Sequence, residues 1–190
     1  MYLIFDTETT GRPRNYSAPA TDLRNWPRLV QLAWAFFDED EQEVESRDMI
    51  IKPHGFTIPE EATEIHGITT ERAMDEGIPL REALLAFSSF LVQTGLLVAH
   101  NMDFDAKIVE AEFIREKIPT YLSTIPKLCT MKQSTEFCRM PGRYGSYKWP
   151  KLSELHVKLF DTPFDGAHDA KEDVRACANC FFELRRRSVL

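Results

Sequence analysis

Leu96–Ala99 (LLVA) restricts the fold more than any other segment, because four consecutive apolar residues with no polar alternation need apolar cover on both faces. Such a short run is typical of a strand in the buried middle of a sheet. The opening segment Tyr2–Glu8 (YLIFDTE) also predicts a strand, which is apolar at first, then polar, and is stopped by Gly11. The chain is therefore expected to build a sheet around these segments.

The rest of the chain adds further strands and helices to this sheet. Two more strands are predicted, separated by the acidic turn DEDEQE: Val30–Phe37 and Met49–Lys52. Apolar residues at helical spacing predict helices over Leu80–Leu91, Phe104–Lys117 and about Ala170–Arg187. Arg12–Arg28 and about Thr130–Pro150 are expected to be loops. Early strands followed by alternating helix and strand indicate an α/β fold over a mixed sheet, in one domain covering residues 1–190.

Two carboxylates lie two residues apart on the first predicted strand. Side chains alternate along a strand, so Asp6 and Glu8 project from the same face. Like charges this close repel each other and raise each other's pKa unless a divalent cation lies between them. The alternative is a strand end that points two acids into water.

Two further acids and a histidine follow other predicted elements. Asp105 comes soon after the apolar strand, near the carboxyl edge of the sheet, where open α/β sheets place their sites. An acid that complements a helix N-terminus is the alternative. Asp169 is a plausible N-cap with Glu172 in a capping box, which places Asp173 in the first helical turn and His168 in the preceding loop. Both side chains can then reach one site, although a solvated loop histidine is the simpler interpretation of His168.

Four motifs extend over nearly the whole chain: F-D-T-E-T-T-G at 5–11, I-H-G-I at 65–68, H-N-x-x-F-D at 100–105 and H-x-A-x-x-D at 168–173. In this order they closely resemble the DEDDh exonucleases, typified by the proofreading subunit epsilon of DNA polymerase III. The resemblance implies a ribonuclease H-like fold with a central five-stranded mixed sheet flanked by helices. It also implies a metal-dependent 3′→5′ exonuclease that releases nucleoside 5′-monophosphates, with DNA preferred.

The resemblance assigns roles to five residues. Asp6, Glu8, Asp105 and Asp173 would hold two divalent cations, Mg²⁺ or Mn²⁺, which prefer oxygen ligands and can hold the attacking and leaving oxygens. His168 would be the general base, since histidine is the side-chain type that changes charge near neutral pH. The motif frame selects Asp105 rather than Asp103, which is expected to be exposed.

Substrate-binding residues are predicted in two regions: Thr7, Thr9, His66 and Phe104 within the motifs, and Lys148 and Lys151 outside them. His66 would pack near the terminal nucleotide, although it could be a simple turn histidine. Phe104 would back the site or stack on a base, or it could be a core aromatic. The segment from Pro126 to Lys151 has six basic residues and one acid, interleaved with aromatics. It is a candidate track for single-stranded nucleic acid, or else a solvated loop that covers the core.

The expected partners are single-stranded DNA or DNA 3′ ends, with RNA possible and a polymerase partner left open. An exoribonuclease of the same fold is one alternative, because no residue plainly reads the 2′-hydroxyl. A non-catalytic binding module is another, although it would be expected to lack one of the five residues. The net charge of −7 argues against a protein that coats nucleic acid nonspecifically.

Other features predict location and structure rather than chemistry. The sequence contains no apolar run of membrane-spanning length and no basic leader, so no membrane association and a cytoplasmic location are expected. Cys177 and Cys180 form a C-x-x-C within an apolar helical pattern, which favours reduced core thiols over a zinc or redox site. His100 is expected to be structural, and His54 and His156 are given no role.

Overall fold

The computed structural model describes all residues, 1–190. Five strands form one sheet in the order β3-β2-β1-β4-β5. The strands are β1 (Tyr2–Thr9), β2 (Leu29–Phe37), β3 (Glu43–Ile50), β4 (Leu96–Ala99) and β5 (Lys127–Cys129). β1 is antiparallel to β2 and parallel to β4, β3 is antiparallel to β2, and β5 is parallel to β4. The expected five-stranded mixed sheet is therefore confirmed.

Helices cover both faces of this sheet. They are α1 (Glu60–His66), α2 (Thr70–Glu76), α3 (Leu80–Leu91), α4 (Met102–Glu116), α5 (Thr130–Gln133), α6 (Thr135–Cys138), α7 (Leu152–Phe160) and α8 (Ala170–Arg186). On one face, α3 and α4 pack against Leu3, Phe5 and Trp34. On the other, α8 packs against Ile4 and Val98. None of these helices combines the length and the apolar composition that a membrane span requires.

Side chains alternate between the two faces of the sheet along β1, and this alternation determines the face on which its polar residues lie. Leu3 and Phe5 contact the α3–α4 side of the core, whereas Ile4 contacts α8. Two-residue alternation therefore places Asp6 and Glu8 on the α8 side of the sheet. β4, which pairs in parallel with β1, ends at Ala99, and α4 begins three residues later. The ends of β1 and β4 and the start of α4 thus share one edge of the sheet.

Some predicted boundaries were wrong. The third strand was predicted at Met49–Lys52 but runs over Glu43–Ile50, because it is an edge strand with a largely exposed, charged sequence that gives no apolar signal. The predicted Thr130–Pro150 loop contains α5, α6 and a 3₁₀ turn at Arg143–Gly145. β5, α1 and α2 are too short or too polar for the periodicity to identify them, whereas α7, with Leu152, Leu155 and Leu159 at helical spacing, was missed.

Candidate functional site

Four carboxylates and two histidines, His100 and His168, line a single pocket of about 270 Å³ at the shared edge of the sheet. Asp6 and Glu8 come from β1, Asp105 from the first turn of α4 and Asp173 from the first turn of α8. His168 lies in the loop before α8 and lines the same pocket. Acids that are far apart in sequence therefore meet in space.

The carboxylates are strained electrostatically, because none of them pairs with a lysine or arginine. Burial, followed by repulsion from the neighbouring acids, raises the pKa of Asp6 well above its usual range and that of Glu8 to about 8. Burial also raises the pKa of Asp105 to about 7 and that of Asp173 to about 6. A bound polyvalent cation would remove this conflict.

Asp105 is held by β1. The Thr7 hydroxyl donates a 2.7 Å hydrogen bond to Asp105 Oδ1, and both side chains are buried. Thr7 was predicted to bind substrate, but its hydroxyl is occupied by this bond. Asp103 is exposed, as expected, and forms an ion pair with Lys132.

His168 has a left-handed backbone, with φ of 73°, which non-glycine residues seldom adopt and which is common at functional sites. Its N–H donates to Asp173 Oδ2 at 3.1 Å, so the loop and the first turn of α8 are tied together. Asp169 is the N-cap, as predicted. The capping box is wrong, because Asp169 accepts from Lys171 N while Glu172 pairs with Arg175.

The donor set fits hard divalent cations. Glu8, His168 and Asp173 each place one possible ligand atom within 4.8 Å of the others. Asp6 and Asp105 lie outside this set but line the same pocket. Oxygen-rich, unneutralised donors suit Mg²⁺ or Mn²⁺ better than softer metals.

The raised pKa values predict how metal-free stability depends on pH. Unfolding returns the carboxyl groups to a pKa of about 4, so between that value and the folded values the folded state binds more protons. Stability should therefore fall as pH rises through the folded pKa values of about 6 to about 8 for Asp173, Asp105 and Glu8. In EDTA, we expect Tm to drop by roughly 5 °C from pH 6 to pH 8.

Added Mg²⁺ should restore more of the lost Tm at pH 8 than at pH 6, because the ligands must be deprotonated to bind it. Asp105→Asn should flatten the pH dependence measured in EDTA. Asp75→Asn, at an exposed position of α2, is the matched control and should leave the dependence intact. A Tm in EDTA that rises between pH 6 and pH 8 would contradict this account.

Beside the carboxylates lies a second pocket of about 380 Å³, whose lining includes Thr9, His66 and Phe104. His66 is buried, and its Nδ1 accepts the Ile68 N–H at 3.1 Å, so the proton is on Nε2, which has no partner. Burial lowers the pKa of His66, and the Thr9 backbone opposes this shift. The Thr9 hydroxyl donates to Gly11 O at 2.7 Å.

Lys148 and Lys151, the remaining predicted substrate-binding residues, line neither pocket. Lys148 donates to Glu154 Oε1 at 2.6 Å. Lys151 is the N-cap of α7, and its backbone N–H donates to Glu154 Oε2. Both lysines are exposed, and Leu152, the next residue, does line the carboxylate pocket.

His100 and the two cysteines of the C-x-x-C motif, Cys177 and Cys180, have structural environments. The ring nitrogens of His100 contact Thr130 Oγ1 and Pro150 O, both at 3.0 Å, and burial lowers its pKa to about 4. His100 thus ties the β4–α4 turn to the two ends of the 130–150 segment. Cys177 and Cys180 are unpaired and buried in two different hydrophobic clusters, as the sequence predicted.

Several residues at or beside the site were not predicted from the sequence, among them Arg12, Tyr16, Ile65 and Gln31. The first three line the second pocket. Gln31 is buried directly opposite Glu8 in the β1–β2 register. Its Nε2 donates to Asp48 Oδ1 at 2.7 Å, and its Oε1 accepts the Ala170 N–H at 3.4 Å. A polar residue inside the apolar run VQLAWAFF was the signal that could have identified it.

Gln31→Leu is expected to lower activity about tenfold, because it removes the bond that holds the start of α8, next to Asp173, against β2. Part of the loss should be recovered at high Mn²⁺ concentration if the displaced α8 weakens metal binding. Gln93→Leu, at an exposed position, is the control. Unchanged activity and metal dependence in Gln31→Leu would show that the start of α8 is held without this bond.

Comparison with known proteins gives the family. A family model described as Exonuclease (RNase T) matches residues 3–181. The chain is 33% identical over 181 residues to DNA polymerase III PolC-type of Streptococcus pyogenes serotype M2 (strain MGAS10270), across 95% of this chain and 11% of that protein. The PolC-type protein of Streptococcus thermophilus (strain CNRZ 1066) is 32% identical over 181 residues, with the same two coverages. The chain thus spans a small part of these relatives.

Solved structures share the fold. The crystal structure of E. coli Exonuclease I in complex with a dT13 oligonucleotide matches with a TM-score of 0.78 and 21% identity, over 98% of this chain and 41% of that one. Exonuclease I from Methylocaldum szegediense matches with a TM-score of 0.76 and 23% identity, over 98% and 40%. The ribonuclease H-like fold is confirmed. The family match over nearly the full length shows that this chain belongs to the RNase T-type exonuclease family, the DEDD-type 3′→5′ exonucleases.

Proposed function

We propose that this chain removes nucleotides one at a time from DNA 3′ ends and releases nucleoside 5′-monophosphates with the help of two divalent cations. The observation that carries the proposal is the meeting of Asp6, Glu8, Asp105 and Asp173 with His168 in one pocket. A second pocket of about 380 Å³ adjoins it and shares Thr7, Glu8, Asn101, Phe104 and His168 with it, so a terminal nucleotide has a place beside the acids.

In this proposal the four carboxylates would hold two Mg²⁺ or Mn²⁺ ions, which would supply Lewis acidity and neutralise charge at the scissile phosphate. His168 accepts the proton of the water that attacks the terminal phosphorus. The new P–O bond forms as the bond between the phosphorus and the 3′ oxygen of the preceding nucleotide breaks. That oxygen takes a proton from solvent water and ends as a hydroxyl, and His168 returns its proton to solvent. His66, which lines the second pocket, would pack beside the terminal nucleotide.

We propose DNA as the substrate because DNA is the nucleic acid associated with similar proteins. The relatives are DNA polymerase III PolC-type proteins, and E. coli Exonuclease I was crystallised with dT13 and dA16 oligonucleotides. Farther along the strand, Lys151 and Lys148 would contact phosphates, with Lys148 exchanging Glu154 for the phosphate. Association with a polymerase is compatible with the PolC-type relatives and forms no part of the proposed chemistry.

Digestion of 5′-labelled single-stranded DNA, duplex DNA and RNA with Mg²⁺ or Mn²⁺ tests the proposal. We expect a ladder that shortens from the 3′ end, mononucleotide 5′-phosphates as products, and faster digestion of DNA. EDTA should abolish the reaction, and Asp6→Asn is the inactive control. Faster digestion of RNA would make the chain an exoribonuclease, and no release from any strand with either metal would overturn the proposal.

A further inference from the structure

We infer that the segment Arg12–Arg28 is a wall of the substrate groove, on which Tyr16 stacks against the base of the 3′-terminal nucleotide while Arg12 binds a phosphate of the strand. This inference rests on the proposed function and names the groups that hold the strand. It predicts a substrate with an unpaired, accessible base at its 3′ end.

The position of the segment places its side chains on the pocket beside the carboxylates. Gly11, Arg12 and Tyr16 line the same pocket as His66 and His168, and Ile65 of α1 lines it as well. The Tyr16 side chain is 54% exposed and that of Ile65 is 51% exposed. Two large, exposed apolar side chains on one pocket beside a catalytic site are suited to a flat apolar ligand such as a nucleobase.

The wall around Tyr16 is preorganised. The Tyr16 carbonyl accepts from Lys107 Nζ at 3.0 Å, and the Tyr16 ring lies 6.3 Å from that of Phe104, centre to centre. One residue before it, Asn15 exchanges two hydrogen bonds with the buried Asn25, at 2.8 and 2.9 Å. Because the backbone on both sides of the Tyr16 ring is fixed in this way, less conformational freedom remains to be lost when a base stacks on the ring.

Charged side chains of α4 fix the end of the segment that precedes β2. Arg115 Nη2 donates to Leu23 O at 2.7 Å and to Trp26 O at 2.8 Å. Glu112 is fully buried and accepts from Arg28 Nε at 2.9 Å and from Leu29 N at 3.0 Å. Within the segment, the indole N–H of Trp26 donates a 2.9 Å hydrogen bond to Pro19 O. The segment is therefore a built part of the fold.

The segment is also basic, as a surface that contacts phosphates should be. Residues 12–28 contain four arginines (Arg12, Arg14, Arg24 and Arg28) and one acid, Asp22, in a chain whose net charge is −7. Arg28 is paired with Glu112, but Arg12 forms no ion pair and lines the groove. In the other basic segment, Lys132 and Lys148 are both neutralised by carboxylates. Arg12 is thus an unpaired cation on the groove, where it could contact a phosphate of a bound nucleic-acid strand.

Stacking is tested with two single-stranded DNA substrates, identical except that one ends in an abasic nucleotide. Wild type is expected to favour the strand with the terminal base. Tyr16→Ala should raise KM for that strand about tenfold and reduce the preference by a similar factor, whereas Tyr16→Phe keeps both. Tyr121→Ala, an exposed tyrosine outside the groove, is the matched control. Thermal unfolding establishes that each variant is folded.

The outcomes separate the two proposals. If wild type digests neither strand, the proposed function fails and this inference fails with it. If wild type digests both strands and Tyr16→Ala keeps the wild-type KM and preference, the inference alone is overturned. Loss of the preference in Tyr16→Ala with retained turnover supports it.

The phosphate contact has its own measurement. Each phosphate contact on a single strand contributes about 0.7 to the slope of log affinity against log salt concentration. Arg12→Ala should therefore reduce this slope by about 0.7, measured as KM between low and moderate salt. Arg24→Ala, on the same segment but outside the groove lining, should leave the slope unchanged. Equal slopes for Arg12→Ala and wild type would overturn the role of Arg12.

Discussion

Asp105→Asn is expected to reduce exonuclease activity by at least about 10³-fold, while Asp103→Asn stays within about twofold of wild type. Lewis-acid stabilisation by a bound metal contributes several kcal/mol at the transition state, and about 4 kcal/mol corresponds to 10³ in rate. Asp105 is buried in the carboxylate pocket and is held by the Thr7 hydroxyl at 2.7 Å. Asp103 is exposed and contacts Lys132 instead.

The two substitutions form a matched pair because both remove one carboxylate from the first turn of α4. Each variant loses the same favourable interaction with the helix dipole, so this contribution cancels in the comparison. Initial rates on single-stranded DNA at saturating Mg²⁺, with Tm measured in EDTA, separate catalysis from folding. Equal losses of activity in the two variants would contradict this prediction, because activity would then depend no more on the buried Asp105 than on the exposed Asp103.

The resemblance to the family motif H-N-x-x-F-D distinguished these two aspartates in the sequence, and local helix geometry explains why only one of them reaches the site. Residues two apart on a helix point about 200° apart, so only one of them can face the strand ends once α4 packs on the sheet. The same local rules placed Asp6 and Glu8 on one face of β1 and put His168 before α8 with Asp173 in its first turn. Periodicity and capping residues are sufficient for features that depend on near neighbours in sequence.

The wall made by residues 12–28 could not be predicted in this way. Its position depends on Glu112 and Arg115 of α4, which are more than 80 residues away along the chain. Nothing in the loop sequence shows that Tyr16 lies beside Phe104. For the basic segment around Lys148 the sequence misled in the opposite direction, because it shows the charges but not the carboxylates that pair with them. Its lysines looked free in the sequence, whereas Glu154 and Asp103 neutralise two of them in the fold.

His168→Ala is expected to lower kcat by about 10²–10⁴-fold, the range for loss of a positioned general base. His168 lines both pockets, so its imidazole can face a bound terminal nucleotide and the carboxylates at once. Its position is set by its own backbone N–H on Asp173 and by a left-handed φ, neither of which depends on the imidazole. Replacing the ring should therefore leave the loop in place and remove the proton acceptor.

The same variant decides between a base and a metal ligand, because His168 also places a ring nitrogen within 4.8 Å of ligand atoms of Glu8 and Asp173. If His168 is the base, His168→Ala keeps the Tm increase that Mn²⁺ produces in wild type while kcat falls. If it is a ligand, the Tm increase is lost together with the activity, as it should be in Asp173→Asn. His54→Ala, an exposed histidine outside both pockets, is the control and should change neither quantity. A full rate with a full Tm increase in His168→Ala would mean that another group accepts the proton.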